Sequence, residues 1–294
     1  MTFNSPHAPG SELWCEALNQ YIESAVNTDS IAEFREPEPG RWHLGASEIG
    51  HPCSRKIWYS FRWAIKVEHS GQQLRLFNRG HHEEPKFIHR LARIGINVSD
   101  TDPSTGKQWQ MVHPSEPHYG GSLDGIAYVP WVPAQFATMI AEFKTHNDAS
   151  FEKLLSKGVR LSKPQHFAQM SSYGEVKQYP LGLYCAINKN TDALAFRVTP
   201  LQYSLGKITF NKAVEIIRSQ RPPTRISENS SYKECKFCDY RGVCHLKQPL
   251  LKSCRSCAHA VPNQTDKEWT CTRFGGVIPR DFVVKGCDVW TPIA

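Results

Sequence analysis

The chain has 294 residues, 40% of them hydrophobic, which is enough for one full core plus a small appendage and too apolar for wholesale disorder. Its net charge of +7 permits a polyanionic partner without requiring one. No apolar run approaches the roughly 20 residues of a membrane span. The start MTFNSPHAPG has neither the basic stretch nor the apolar stretch of a secretory signal. The expected location is therefore the cytoplasm, with no membrane partner and with the ten cysteines reduced.

Residues 11–26 carry Trp14, Leu18, Tyr21 and Ala25 at helical spacing. Pro52 can open a short helix through about Trp63. From Gly71 to about Ile94 a stripe of Leu74, Phe77, His81, Glu84, Ile88 and Leu91 predicts a second long helix. On that stripe Glu84 and His81 face a core, His81 as a hydrogen-bonded histidine, while Glu83 reads as a solvated surface residue. The middle reads as sheet, with strands over 107–112, 119–129 and 138–144. Helices are expected near 148–156 and over 164–177, a hairpin over 182–187 and 193–199, and a helix over 202–218 that ends before Pro222-Pro223.

Chemistry concentrates in two strands. GGSLDGIAYV places Asp124 in a strand after a glycine pair, and MIAEFKT carries Glu142 and Lys144. Strand side chains alternate, so Glu142 and Lys144 share one face while Ala141 and Phe143 take the other. If the two strands pair, Asp124 lies beside Glu142. Two neighbouring carboxylates repel unless a cation sits between them, and oxygen ligands favour Mg²⁺ or Mn²⁺. Such an ion lowers the pKa of a bound water, and Lys144 can orient that water and balance charge on a phosphate. Lys153, Lys157, Arg160 and Lys163 follow, as phosphate-tracking residues or as an ordinary solvated surface.

Asp124 followed by Glu142-Phe143-Lys144 resembles the D…ExK signature of the PD-(D/E)XK nuclease superfamily. Two further elements are similar to its RecB-type and lambda-exonuclease branches. One is Gly80 and Glu84 in RGHHEEPKF, and the other is Gln169 and Tyr173 in FAQMSSYG. The resemblance spans roughly residues 45–200. It implies an α/β core with a central mixed sheet flanked by helices. It also implies metal ligation by Glu84, Asp124, Glu142 and the Phe143 carbonyl. Gln169 would contact Lys144 or DNA, with Tyr173 packed behind it, and Gln165 one turn earlier is an alternative to Gln169.

Seven cysteines crowd the last quarter. Cys235-x2-Cys238-x5-Cys244 supplies three close thiolates, which in a cytosolic chain imply a metal, and Cys53 can be the fourth. One cysteine before a nuclease core and three after it resembles the iron–sulfur nucleases, the AddB-type domains and CRISPR-adaptation exonucleases, which implies a [4Fe-4S] cluster; zinc is the alternative there. Cys254, Cys257, Cys271 and Cys287 then form a separate zinc-type set, in which His259 can replace one cysteine. A rival partition groups Cys235, Cys238, Cys254 and Cys257 as a zinc ribbon.

The expected organisation is a nuclease core over 1–222, a cluster segment over 223–247 and a zinc-ribbon-like tail over 248–294. The expected function is a Mg²⁺- or Mn²⁺-dependent DNA exonuclease of replication, recombination or repair, acting on DNA ends or single strands, with a phage-encoded origin as one reading the resemblance allows. A restriction-type or structure-specific endonuclease and a non-catalytic, metal-stabilised DNA-binding protein are the alternatives. No helicase-type phosphate loop is present, so unwinding would come from a helicase or recombination partner.

Overall fold

The computed structural model describes residues 3–34 and 41–293. Two compact units are distinguished. Among the described residues the first comprises 3–34 and Val67–Glu83. Its long helix, Glu12–Glu33, starts at Ser11, whose side chain accepts from the Trp14 amide as an N-cap should. Asn27 and Ser30 on that helix accept from the Arg75 guanidinium at 3.0 and 2.8 Å. The helix Gly71–Arg93 begins in this unit and runs through Pro85.

The second unit holds the sheets. A five-stranded mixed sheet runs in the order Leu194–Pro200, Leu181–Asn188, Thr138–His146, Gly125–Tyr128, Asn97–Ser99. Thr138–His146 pairs parallel with Leu181–Asn188, and the other pairs are antiparallel. A three-stranded sheet places Glu116–Ser122 between Leu44–Gly45 and Gln110–His113. A third sheet, Ala260–Pro262, Trp269–Cys271 and Gly276–Val277, lies in the cysteine-rich region. No helix among the described residues is long and apolar enough to cross a membrane.

The alternation read from MIAEFKT is realised. Ala141 and Phe143 join Ala127, Met139, Leu183, Cys185 and Ile187 in one buried cluster that also takes Phe87 and Leu91 from the helix Gly71–Arg93. Phe87 stacks on Phe143 with ring centroids 5.3 Å apart. On the opposite face, the helix Pro164–Lys177 covers the residues of even number. Gly182 leaves room there, since a Cβ would meet the Met170 methyl. The helix Tyr203–Arg218 packs in turn on Pro164–Lys177, and Ser172 and Thr209 are hydrogen-bonded at 2.8 Å.

Four expectations are corrected. The strand expected over 119–129 is two strands, Glu116–Ser122 and Gly125–Tyr128, in different sheets, and Asp124 sits in the bend between them. The helix expected near 148–156 continues to Ser162, with a left-handed break at Gly158. His81 is exposed rather than in a core. Glu83 is buried, not solvated, whereas Glu84 is half-buried. Glu83, Phe87 and Leu91 are spaced by four and share the buried face, and Glu84 and Ile88 lie on its shoulder.

Candidate active site and metal centres

Asp124, Glu142 and Lys144 converge. Gly125 pairs with Ala141, so the preceding bend brings Asp124 to the level of Glu142 and Phe143. Asp124 Oδ2 accepts from the Phe143 amide at 2.8 Å and from Lys144 Nζ at 3.2 Å. Lys144 Nζ also donates to the Phe143 carbonyl at 3.0 Å and lies 2.6 Å from Glu142 Oε1. The Glu142 side chain has no exposed surface, whereas Lys144 and Asp124 are 28% and 15% exposed, so the constellation opens to solvent on one side.

Burial is the main cause that raises the Glu142 pKa, to about 7. Lys144 opposes the shift, and the charges of Asp124 and Glu84 add to it. Glu84 is therefore within electrostatic reach of the same carboxylate. Burial pulls Lys144 down, but Glu142 and Asp124 together hold it above the usual lysine range. The sum is an anionic pocket with an ammonium seated in it, since each carboxylate disfavours ionisation of its neighbour.

Gln169 reaches the site, but its partner is Glu142 rather than Lys144. Its Nε2 is 3.3 Å from Glu142 Oε2 and 3.3 Å from the Tyr173 hydroxyl. Tyr173 donates to the Ser122 carbonyl at 2.9 Å, just before the bend that carries Asp124. This contact needs glycine at 121, because a Cβ there would lie 2.5 Å from the Tyr173 hydroxyl. Gln165 instead packs its backbone against Gly50.

A second polar group beside the carboxylates escaped the sequence reading. His146 follows Lys144 by two residues on the same strand face, and its Nε2 is 2.9 Å from the Tyr184 hydroxyl. His166 Nδ1 approaches the same hydroxyl at 2.8 Å, and Tyr184 pairs with Glu142 across the strands. Burial lowers His146 to about 4 and His166 to about 3, with the Lys144 charge contributing to both, so both rings are neutral at pH 7. The alternation was the available signal for His146. Lys163 belongs to this group: it is buried and its Nζ donates to the Ser150 carbonyl at 2.7 Å, which removes it from the phosphate-tracking set. Lys153, Lys157 and Arg160 are exposed on the same helix.

The cysteines fall into two groups. Cys53, Cys235, Cys238 and Cys244 line one cavity together with Arg55, Lys56, Tyr59 and Arg225. Cys53 caps the helix Ser54–Phe61, and Arg225 donates to the Cys244 carbonyl. Cys254 lies within electrostatic reach of Cys287, Cys257 and Cys271. Cys15 is exposed and Cys185 is buried in the sheet. Among the described residues no group of three or more His, Cys, Asp or Glu side chains is drawn close enough to hold a metal ion. At the carboxylates the Lys144 ammonium lies against oxygens of Asp124, Glu142 and Phe143.

No known protein family and no curated protein matches the chain by sequence. Among solved structures it is similar to the crystal structure of SSO0001, at 14% identity and a TM-score of 0.41, over 76% of this chain and 96% of that one. It is also similar to an alkaline exonuclease, LHK-Exo, from Laribacter hongkongensis, at 13% identity and a TM-score of 0.40, over 64% of this chain and 90% of that one. For that exonuclease in complex with dAMP the values are 13% and 0.42, over 60% and 86%.

Proposed function

We propose that this chain is a Mg²⁺- or Mn²⁺-dependent deoxyribonuclease of the PD-(D/E)XK type that acts as an exonuclease on DNA ends or single strands. The observation that carries the reading is the convergence of Asp124, Glu142, the Phe143 carbonyl and Lys144 at one partly open point. The order of Gly80-x3-Glu84, Asp124, Glu142-x-Lys144 and Gln169-x3-Tyr173 in the sequence supports the same class.

The oxygens fit a hard divalent cation. They are carboxylates and a carbonyl without thiolate or imidazole, and an ammonium already rests among them. Glu84, Asp124, Glu142 and the Phe143 carbonyl would hold it, and bound there it supplies a lowered water pKa and charge stabilisation at the phosphate. Gln169 fixes the Glu142 carboxylate from behind, and Tyr173 fixes Gln169. With a cation bound to the carboxylates, Lys144 would orient the attacking water and balance charge on the phosphate. Lys153, Lys157 and Arg160 are available to the DNA backbone.

The Cys53, Cys235, Cys238 and Cys244 cavity fits a [4Fe-4S] cluster. Four thiolates around it carry net negative charge, and Arg55, Lys56 and Arg225 line the same cavity. The cluster would tie the helix Ser54–Phe61 to the segment after Pro223.

Digestion of end-labelled single- and double-stranded DNA with Mg²⁺ or Mn²⁺ tests the proposal. The expected result is progressive shortening from ends, with closed circular DNA left intact. Rapid nicking of circles would replace the exonuclease with an endonuclease. Glu142→Ala retaining full cleavage would remove the catalytic assignment.

A further inference from the structure

Beside the last four cysteines two arginines are buried without a carboxylate partner among the described residues. Arg255, inside the turn Cys254–Cys257, has no exposed surface. Its guanidinium lies over Phe61, Trp63 and Trp269 at 4.5, 4.4 and 4.7 Å from the ring centroids. It donates to the carbonyls of Arg41 and Trp42 at 3.3 and 3.1 Å, while Nε and Nη2 have no hydrogen-bond partner. Arg62 is equally buried, over Trp58 and Trp269. It donates to the Ala260 carbonyl at 2.9 Å and to the Gln220 side-chain oxygen at 3.0 Å. A buried charge is held only where an opposite charge compensates its lost hydration. Rings and carbonyls offset part of that cost for each arginine but supply no net negative charge.

The segments that carry the four cysteines are joined by backbone bonds. The Cys254 amide donates to the Val283 carbonyl at 2.9 Å, at the helix just before Cys287. Cys257 bridges Pro292, and Ala258 donates to Thr291. On the other side Ala260 pairs with Cys271, so the turn, the strand and the C-terminal loop meet at one place. Cys254 Sγ donates to the Phe282 carbonyl at 3.1 Å, so this thiol turns from that carbonyl when it takes a metal. Cys257 lies within electrostatic reach of Arg62, and Arg62 within reach of Arg255.

We propose that Cys254, Cys257, Cys271 and Cys287 bind one zinc ion as a four-thiolate centre, and that this centre is the counter-ion of the buried Arg62 and Arg255. Four thiolates around a divalent cation leave two negative charges, which match two guanidinium charges. Four neutral thiols match neither. One CxxC turn with two single cysteines on short strands and loops is a tetrahedral zinc arrangement. The centre thus fastens the tail to the Phe61–Trp63–Trp269 stack through charge as well as through packing.

The test uses the full chain. Elemental analysis of anaerobically purified protein is expected to give one zinc per chain, and Cys271→Ser with Cys287→Ser removes that zinc while leaving the iron content unchanged. Arg62→Gln weakens zinc in competition with a chromophoric chelator by about tenfold or more, as expected when a compensating buried charge is lost. If Arg62→Gln does not fold, chelation of zinc from the natural chain takes its place. That step lowers the melting temperature and shifts tryptophan emission to the red as the stack around Trp269 opens. A natural chain without zinc, or with iron at these cysteines, overturns the zinc site. Unchanged zinc affinity in Arg62→Gln, or unchanged melting after chelation, overturns the counter-ion role.

Discussion

Lys144 Nζ lies 2.6 Å from Glu142 Oε1, and Glu142 is a carboxylate with no exposed side-chain surface. The same nitrogen bonds Asp124 and the Phe143 carbonyl. On the proposed reading, a divalent cation bound there would compete with the lysine for one set of oxygens.

That competition separates binding from catalysis. Replacing Lys144 by Met leaves Glu142 and Asp124 facing each other with no positive charge, which strengthens their attraction for Mn²⁺. Calorimetric titration should show tighter Mn²⁺ binding in Lys144→Met than in the natural chain. DNA cleavage should fall by about 10²-fold or more, because the group that balances charge on the phosphate is gone. Weaker Mn²⁺ binding in the variant would show that Lys144 supports the cation rather than displacing it.

The Gly121–Tyr173 contact makes a second prediction. A Cβ at 121 meets the Tyr173 hydroxyl at 2.5 Å and two ring carbons at 3.3 Å, and that hydroxyl bonds the Ser122 carbonyl. Gly121→Ala therefore pushes Tyr173 away from Gln169 and slows cleavage. Tyr173→Phe alone loses the hydrogen bonds to the Ser122 carbonyl and from Gln169, worth about 1 kcal/mol each. The double variant should be less impaired than the sum of the two, because the worst clash is with an oxygen that Phe lacks. Strict additivity in urea unfolding and in cleavage rate would mean that the two residues act separately.

The face assignment of Glu142 and Lys144 was legible because strand alternation is local, and Ala141 and Phe143 mark the core side without any knowledge of the partner strands. The bend at Asp124 was not legible. Gly125-Ile126-Ala127-Tyr128 continues a strand-like pattern, and the switch between sheets is set by what each half pairs with. The helical stripe holds at Leu74 and Leu91 but not between them: Phe77 is 48% exposed, and Glu83 and Phe87 take the buried positions beside the half-buried Glu84 and Ile88. Tyr184 joined the site only through the parallel pairing with Glu142, a tertiary fact. Nothing in the spacing of Cys254 and Cys257 marks Arg255 as buried, and the rings of Phe61, Trp63 and Trp269 that bury it come from distant segments.

The cavity of Cys53, Cys235, Cys238 and Cys244 yields a third expectation. Anaerobically purified protein should be brown, with broad absorption near about 400 nm. Cys244→Ser should remove the colour and most of the iron. The melting temperature should fall as well, because a centre joining the two ends of the core closes a long loop. Colourless natural protein with two zinc ions per chain would assign zinc to both cysteine groups.

Acid should destabilise this fold through histidines that are kept neutral. Burial is the main cause that lowers His118 from 6.5 to about 4, and the Arg255 charge adds to it. Burial likewise lowers His43 to about 4, with Arg41 as the next cause. In the unfolded chain each ring takes up a proton as pH falls through about 6.5, while in the folded chain it does not until about 4. The unfolded state therefore binds more protons in that window, and the stability present above pH 6.5 is lost as pH drops toward 4. For the fully buried His118 alone the loss is about 3 kcal/mol. His118→Phe removes the proton from the unfolded side while keeping a ring against Phe61 and Trp269. Urea midpoints measured across this window should therefore fall less steeply with acid in His118→Phe than in the natural chain. Equal slopes for the two proteins would mean that His118 is protonated in the folded state and that its burial does not set the acid limit.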